Sequence, residues 1–307
     1  MSRLLRVMVA VVLLVVLAYG VDWAALPPYI ERLAWSTAMA SFIALTLQWP
    51  ISAWKWQWAL RLHGLEYSYW HLLKAICVGF FFNHFLPSAI GGDAYRVMKT
   101  LPNEGFASRA LSAVVVERVV GFAALLLIAF VCALSLATRV PEARGMLTVA
   151  GIGVATLAVI AWAIHRGWHE PLVERLRHVR MFAAVEHNIN HLRNGGRRWI
   201  PLIAISLMFQ LVAIAIVYGF FWSLGESVSY ATCGVIAAAA GIATILPISI
   251  NGLGVVEGAF VGSAIALGVG YGPALVVALL LRVLLVPYAL VFGLLYAAHA
   301  ARNPNPA

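Results

Sequence analysis

Four charged residues lie inside segments of the chain that are otherwise apolar. Glu117 and Arg118 fall in VVVERVVGF, Glu257 falls in GLGVVEGAF, and Arg282 falls in ALLLRVLLVPYAL. A charge at the centre of a bilayer costs at least about 2.5 kcal/mol unless it is paired or hydrated, so these side chains are expected to face the protein interior. The arginines can bind a lipid phosphate while the carboxylates tune the site or carry a proton. Alternatively, the four charges only neutralise one another.

A short motif, L-P-x-x-I-x-G, occurs twice, about half the chain apart. Residues 86–92 read LPSAIGG and residues 246–252 read LPISING. Proline lacks a backbone N–H and ends the helix before it, and glycine allows a sharp turn into a new helix. Asp93 is expected to cap the helix after the first copy, and the helix after the second is expected to begin near Val255. The breaking residues are Pro87, Gly91 and Gly92 in the first copy and Pro247, Gly252 and Gly254 in the second.

Broken helices of this kind can bind an anion. An unpaired backbone group is costly in hydrocarbon, so a break at membrane depth needs protein or water around it. A helix start presents free N–H groups and the positive end of the helix dipole, which suit a phosphate. Two such starts entering from opposite faces match the inverted-repeat plan of secondary transporters, whose site lies where the broken helices meet. The alternative is that proline and glycine only kink two helices for packing.

Three other features bear on the site. His84, in FFNHFLPS beside the first motif, can titrate near neutral pH and is expected to hydrogen-bond freed backbone. Lys55 lies among tryptophans and is expected to extend to the inner membrane interface. Histidines at 165/169 and 187/191 have i, i+4 spacing, but no HExxH motif accompanies them. Neither a metal nor another cofactor is predicted.

The composition is that of an integral membrane protein. The chain has 307 residues, of which 63% are hydrophobic and 11% charged, whereas about a quarter of a soluble domain is charged. No polar stretch is long enough to fold as a soluble domain, so residues 1–307 are predicted to form a single transmembrane domain. The net charge of +9 comes from loops between apolar segments. Membrane topology and anionic headgroups account for it, and nucleic acid is not an expected partner.

Apolar runs of about 20 residues predict the membrane-spanning helices. Full spans are expected near residues 4–21, 36–60, 111–137, 146–165, 199–224 and 273–299. The stretches near 72–96 and 231–270 contain the motif and are expected to be broken or re-entrant. The predicted fold is an all-α polytopic helix bundle with about six full spans plus two broken helical elements in an inverted-repeat-like arrangement.

The basic residues favour one topology. With a cytoplasmic N-terminus and a first motif stretch that enters and leaves on the same side, most loop arginines and lysines are cytoplasmic. The outer side then keeps only Arg32, Arg139 and Arg144. A full crossing at 72–96 would instead move Arg96, Lys99 and Arg109 outside, so the charge pattern favours re-entry. The alternative of a full span stays open.

Residues 171–193 are predicted to form an amphipathic helix on the cytoplasmic side. Its apolar positions recur every three or four residues, from Leu172 to Leu192, and several of its polar positions are arginines. Pro171 suits the first turn of a helix, and the NGG that follows suits its end. Such a helix lies along an anionic leaflet. It either holds the loop to the membrane or recruits substrate.

Three segments together resemble the lysylphosphatidylglycerol synthase transmembrane-region family. They are FNHFLPSAIGGDAYRV, VVVERVVGF and LPISINGLGVVEGAF. The family includes the flippase half of bacterial multiple peptide resistance factors. The resemblance implies a plasma-membrane protein of bacteria or archaea that moves anionic or modified lipids between leaflets. Matched motif by motif, it implies functional roles for Asn83, Pro87, Gly91, Gly92, Asp93, Arg96, Glu117, Arg118, Pro247, Asn251, Gly252, Gly254 and Glu257.

These observations lead to a flippase-like transporter as the first hypothesis. Arg118, Arg282 and the two helix starts would hold the phosphate of an anionic lipid, and His84 lies nearby. Lysyl transfer is not expected, because this sequence ends just after the last span without the soluble aminoacyl-transfer domain of the full-length synthases. The alternatives are a membrane-embedded lipid transferase or phosphatase, or a non-catalytic subunit of one. A homodimer or a partner enzyme of lipid synthesis is left open.

Overall fold

The computed structural model describes residues 31, 33–85, 91–101, 107–168, 196–245 and 252–302. The predicted first span, at 4–21, and the predicted amphipathic helix, at 171–193, lie outside these residues. In the described part the regular structure is helical. Its α-helices are α1 (Trp35–Leu62), α2 (Tyr69–Phe85), α3 (Gly91–Met98), α4 (Ala107–Leu136), α5 (Glu142–His165), α6 (Trp199–Ser223), α7 (Tyr230–Ala243), α8 (Val255–Ala266) and α9 (Tyr271–Arg302).

Four of the described helices are long and apolar enough to cross a membrane. They are α4, α5, α6 and α9, and they confirm the predicted spans at 111–137, 146–165, 199–224 and 273–299. Helix α1 has the length predicted for 36–60 but is not among these four. Its sequence is less apolar because it contributes polar groups to the interior, where Ser41, Lys55 and Gln57 are buried. The chain is therefore a multi-pass helical membrane protein.

Both motif copies separate two helices, as proline and glycine predict. Residues 86–90 of the first copy separate α2 from α3, which begins with the copy's last two residues, Gly91 and Gly92, and the second copy lies between α7 and α8. Asp93 is the third residue of α3, so the expectation that it caps this helix is wrong.

Helices α2 and α3 form an antiparallel hairpin. Asn83 near the end of α2 contacts Gly92 at the start of α3, while His71 near the start of α2 bonds the carbonyl of Lys99 at 2.8 Å. The chain thus returns to the level at which it began, in agreement with the re-entrant interpretation.

Helices α1 and α6 pack against each other in antiparallel directions. The amide of Ala34, just before α1, donates to the carbonyl of Ser223, the last residue of α6, at 2.7 Å. At the other end of the contact, the Lys55 ammonium lies 4.7 Å from the centre of the Phe209 ring. Gly219 permits the close approach, because a Cβ there would overlap the hydroxyl of Ser41.

The order of helices is the same in the two halves of the described chain. Each half has a long helix, a helix that ends at the motif, a short helix and another long helix. These are α1 to α4 in the first half and α6 to α9 in the second, with α5 between them. The halves also contact each other reciprocally, since α2 packs on α9 and α7 packs on α4.

Candidate anion-binding site

The start of α3 is fixed by contacts from α2. The side-chain oxygen of Asn83 accepts a hydrogen bond from the amide of Gly92 at 2.7 Å, which satisfies one of the free donors of a helix N-terminus. Gly92 leaves no room for a side chain, because a Cβ would overlap the carbonyl oxygen of Gly79 and lie 2.7 Å from Asn83. This close contact between α2 and α3 positions Asp93, which directly follows Gly92, and Arg96, which lies one turn further along α3.

Glu117 is the buried centre of the first charged cluster. Its side chain on α4 is 4% exposed, and the Lys55 ammonium lies 3.1 Å from its Oε1. The Arg96 guanidinium donates to its Oε2 and also lies 4.3 Å from the centre of the Trp56 ring. The expectation that Lys55 extends to the membrane interface is wrong. A buried carboxylate within reach holds the ammonium inside the protein.

Asp93 joins this buried cluster to Arg118. Its carboxylate lies 3.3 Å from Nη1 of Arg96 and accepts from Nη2 of Arg118, which lies 2.9 Å from both oxygens. The side chain of Asp93 is 23% exposed and that of Arg118 is 59% exposed. The prediction that Arg118 faces the protein interior is therefore wrong, because Asp93 pairs with it at the surface.

The five side chains form a chain of alternating charge. In order they are Lys55, Glu117, Arg96, Asp93 and Arg118. Three cations and two carboxylates leave a formal charge of one positive unit. The buried end of the chain is Lys55, whose side chain is 10% exposed, and the accessible end is Arg118. The excess positive charge is thus available to an anion at the Arg118 end.

A second carboxylate–arginine pair lies in the other half of the chain. Glu257 on α8 is 3% exposed, accepts from the amide of Gly254 at 2.7 Å and accepts from Nε of Arg282 on α9. Gly252 and Gly254 have φ of 68° and 78°, a region that favours glycine. The helix begins at Val255, as predicted.

The family of the chain follows from a match over nearly its whole length. The family model described as the lysylphosphatidylglycerol synthase TM region matches residues 3–293. The chain belongs to this family. No curated protein and no solved structure matches the chain significantly. Membership indicates a membrane protein of lipid metabolism or lipid transport.

The motif residues of this lysylphosphatidylglycerol synthase TM region fall into two groups. One contains Asn83, Gly91, Gly92, Asp93, Arg96, Glu117 and Arg118, and the other contains Gly252, Gly254, Glu257 and Arg282. The sequence alternative was that the two glutamates and the two arginines neutralise one another. Glu257 and Arg282 do pair, whereas Glu117 pairs with Lys55 and Arg96 and Arg118 pairs with Asp93. The side chain of His84, and all of Pro87, Pro247 and Asn251, lie outside the described residues.

The two helix starts have fewer open donors than the sequence suggests. The Gly92 amide is bonded to Asn83, and the Gly254 amide is bonded to Glu257. The arginines therefore offer an anion more hydrogen-bond donors and more positive charge than these two amides do. A groove of about 410 Å³ lies elsewhere, between α1 and α6, where Ala40, Ala44 and Ala215 are among the lining residues.

Sequence reasoning missed Lys55 as part of the cluster and missed which acid pairs with which arginine. The sequence nevertheless contains a signal for this pairing, which is an equal spacing between acid and arginine in the two halves. Asp93 and Arg118 are 25 residues apart, and so are Glu257 and Arg282. Each acid is also the third residue of a short helix that follows a motif copy.

Proposed function

We propose that the protein moves an anionic or modified lipid between the leaflets of the plasma membrane. The observation that carries this proposal is the exposed guanidinium of Arg118. Its side chain is 59% exposed on a helix that is otherwise apolar enough to cross the membrane. A lipid phosphate is the anion that membrane surroundings offer to such a group.

The geometry leaves Arg118 able to bind a second anion. Asp93 contacts only its Nη2, and among the described residues no group bonds to its Nη1 or Nε. A guanidinium can bind phosphate oxygens through two parallel N–H donors. A phosphate on the outward edge of Arg118 would extend the alternating chain by one negative charge and leave it neutral.

The arrangement of helices supports transport. The antiparallel packing of α1 on α6 and the repeated helix order are what an inverted repeat requires. Transporters with inverted repeats move a substrate by rocking one repeat against the other around the site. We infer that rocking of this kind exposes the arginine sites alternately to the two leaflets.

The charged ends of the helices support a proposed orientation in the membrane. Arg61 and Lys99 lie at one level, because the α2–α3 hairpin returns to its starting point, whereas Arg139 and Arg144 lie in or beside the turn between α4 and α5. Positive charge is enriched on the cytoplasmic side. The proposal therefore has α1 ending and α4 beginning in the cytoplasm, with the N-terminus on that side.

The test is lipid exchange between leaflets in proteoliposomes. Headgroup-labelled phosphatidylglycerol and labelled phosphatidylcholine would be compared, with and without a pH gradient. The proteins are the full chain, Arg118→Ala and the control Arg139→Ala, which removes an exposed arginine from the turn after α4. Transport predicts exchange of phosphatidylglycerol by the full chain and by Arg139→Ala, with a loss of about tenfold or more in Arg118→Ala.

Full activity in a folded Arg118→Ala protein would overturn the assignment of the site. Absence of exchange of either lipid under both conditions would count against transport of diacyl phospholipids. A change in the chemical structure of the lipid would favour the enzyme alternative instead, with Asp93, Glu117 or Glu257 as acid or base. Mass spectrometry of the recovered lipids would detect that change.

A further inference from the structure

We propose that Asp93 sets the charge selectivity of the site, so that it accepts a headgroup with one negative charge and rejects one with two. This inference rests on the proposed function, because it concerns the same arginine. It assigns a specificity role to a side chain that would otherwise be a structural partner of Arg118.

The first step is the count of charges around the site. The chain from Lys55 to Arg118 carries three cations and two carboxylates. Glu257 and Arg282, which contact each other in the other half, carry opposite charges and add none to the sum. Among these described side chains one positive charge is left, and one negative charge neutralises it.

The second step is where a second negative charge would lie. Asp93 is 2.9 Å from Nη2 of Arg118, so an anion on that guanidinium lies within a few ångströms of the Asp93 carboxylate. Asp93 is also partly exposed, at 23%, and is not sealed behind other atoms. A singly charged phosphodiester is stabilised by the excess cation. A phosphomonoester brings a further charge that Asp93 repels.

The third step is the difference between the roles of Asp93 and Glu117. Glu117 is 4% exposed and is held between two cations, Lys55 and Arg96. Its charge is therefore compensated inside the protein. Asp93 alone among the described carboxylates of the chain contacts Arg118, the accessible cation. Neutralising Asp93 changes the charge that a headgroup meets, whereas neutralising Glu117 disturbs the buried cluster.

The experiment measures binding of short-chain lipids to the purified full chain in detergent at pH 8. Dioctanoyl phosphatidylglycerol carries one negative charge, dioctanoyl phosphatidic acid carries close to two at this pH because the second pKa of a phosphomonoester is about 6, and dioctanoyl phosphatidylcholine is the neutral reference. The variants are Asp93→Asn, which keeps the size and an acceptor, Asp93→Glu, which keeps the charge, and the control Glu66→Gln, in the exposed loop before α2.

The full chain and Glu66→Gln are expected to bind phosphatidylglycerol about tenfold more tightly than phosphatidic acid. Asp93→Asn is expected to remove or reverse this ratio by improving the binding of phosphatidic acid, and Asp93→Glu is expected to keep it. The same ratio in Asp93→Asn and in the full chain would overturn the inference. A lower melting temperature of Asp93→Asn with an unchanged ratio would show a structural role and would also overturn it.

Failure of the inference and failure of the proposed function give different results. Selective binding of phosphatidylglycerol that depends on Asp93, without leaflet exchange, would support the inference and contradict transport. Leaflet exchange that depends on Arg118, with an unchanged charge ratio in Asp93→Asn, would contradict the inference and leave transport standing.

Discussion

The guanidinium of Arg118 contacts both carboxylate oxygens of Asp93, which lies 25 residues earlier in the chain, at 2.9 Å. Arg282 and Glu257 are also 25 residues apart and pair through the guanidinium and the carboxylate. In each case the acid is the third residue of the short helix and the arginine lies on the long helix that follows. The two halves therefore share an ion pair at matching positions.

The pair in the second half is expected to be energetically coupled. Glu257 is 3% exposed, and loss of one partner from a buried ion pair costs about 3–5 kcal/mol. In Glu257→Ala and Arg282→Ala we expect a loss of that order in the free energy of unfolding. The double variant should lose less than the sum of the two, with a coupling energy of about 1–3 kcal/mol. Unfolding titrations with sodium dodecyl sulfate in mixed micelles would give the free energy of unfolding of the full chain, the two single variants and the double variant.

Additive losses in this cycle would mean that the two side chains do not stabilise each other. A control for changes on α9 is Val283→Ala, since Val283 follows Arg282 and is 61% exposed. Substitutions at exposed positions usually change the free energy of unfolding by no more than about 0.5 kcal/mol. The control should therefore leave the unfolding curve almost unchanged.

Glu117 is expected to be the most sensitive acidic residue of the first cluster. In Glu117→Ala, Lys55 and Arg96 stay buried and lose their shared carboxylate. Uncompensated buried charge predicts a loss of about 3–5 kcal/mol in the free energy of unfolding. Glu66→Ala removes an exposed carboxylate from the loop before α2 and serves as the control. Equal unfolding midpoints for the two variants would contradict the buried cluster.

The helical fold was predictable because its causes are local. Long apolar runs marked α4, α5, α6 and α9 to within a few residues, and proline with glycine marked the breaks before α3 and α8. The beginning of α8 at Val255 was predicted correctly for the same reason. Helix starts, helix breaks and apolar length are each determined by short stretches of sequence.

The pairing of charges was not predictable in the same way, because it depends on which helices meet. Lys55 lies among tryptophans in sequence, a pattern typical of an interface residue, yet α1 packs so that its ammonium reaches Glu117 on α4. Arg118 was expected to point inward with Glu117, its neighbour. Adjacent helical residues point in different directions by about 100°, so one faces the core and the other the surface.

The crossing of α2 and α3 depends on Gly92. A Cβ there would overlap the Gly79 carbonyl, and backbone cannot move aside as a flexible side chain can. We expect Gly92→Ala to separate the hairpin, with a loss of about 1–3 kcal/mol in the free energy of unfolding and loss of lipid exchange. The matched control is Gly258→Ala on α8, where no atom of the described residues, other than those of its chain neighbours and of its own helix backbone, lies within 4 Å of the added Cβ.

Gly258→Ala should be neutral or slightly stabilising, because alanine is favoured over glycine inside a helix by about 1 kcal/mol. If Gly92→Ala behaves as Gly258→Ala does, the close contact between α2 and α3 is wrong. Thermal unfolding in detergent, followed by circular dichroism, compares the two variants directly.

The antiparallel hairpin of α2 and α3 predicts which residues share a side of the membrane. His71 bonds the carbonyl of Lys99, so single cysteines in Arg61→Cys and Lys99→Cys should react with a membrane-impermeant thiol reagent from the same side. A cysteine in Arg139→Cys, in the turn after α4, should react from the opposite side. The natural cysteines at 77, 132 and 233 would first be replaced by serine. Labelling of Lys99→Cys from the side opposite to Arg61→Cys would instead make residues 72–96 a full span. Arg139→Cys, which follows the crossing of α4, would then react from the same side as Arg61→Cys.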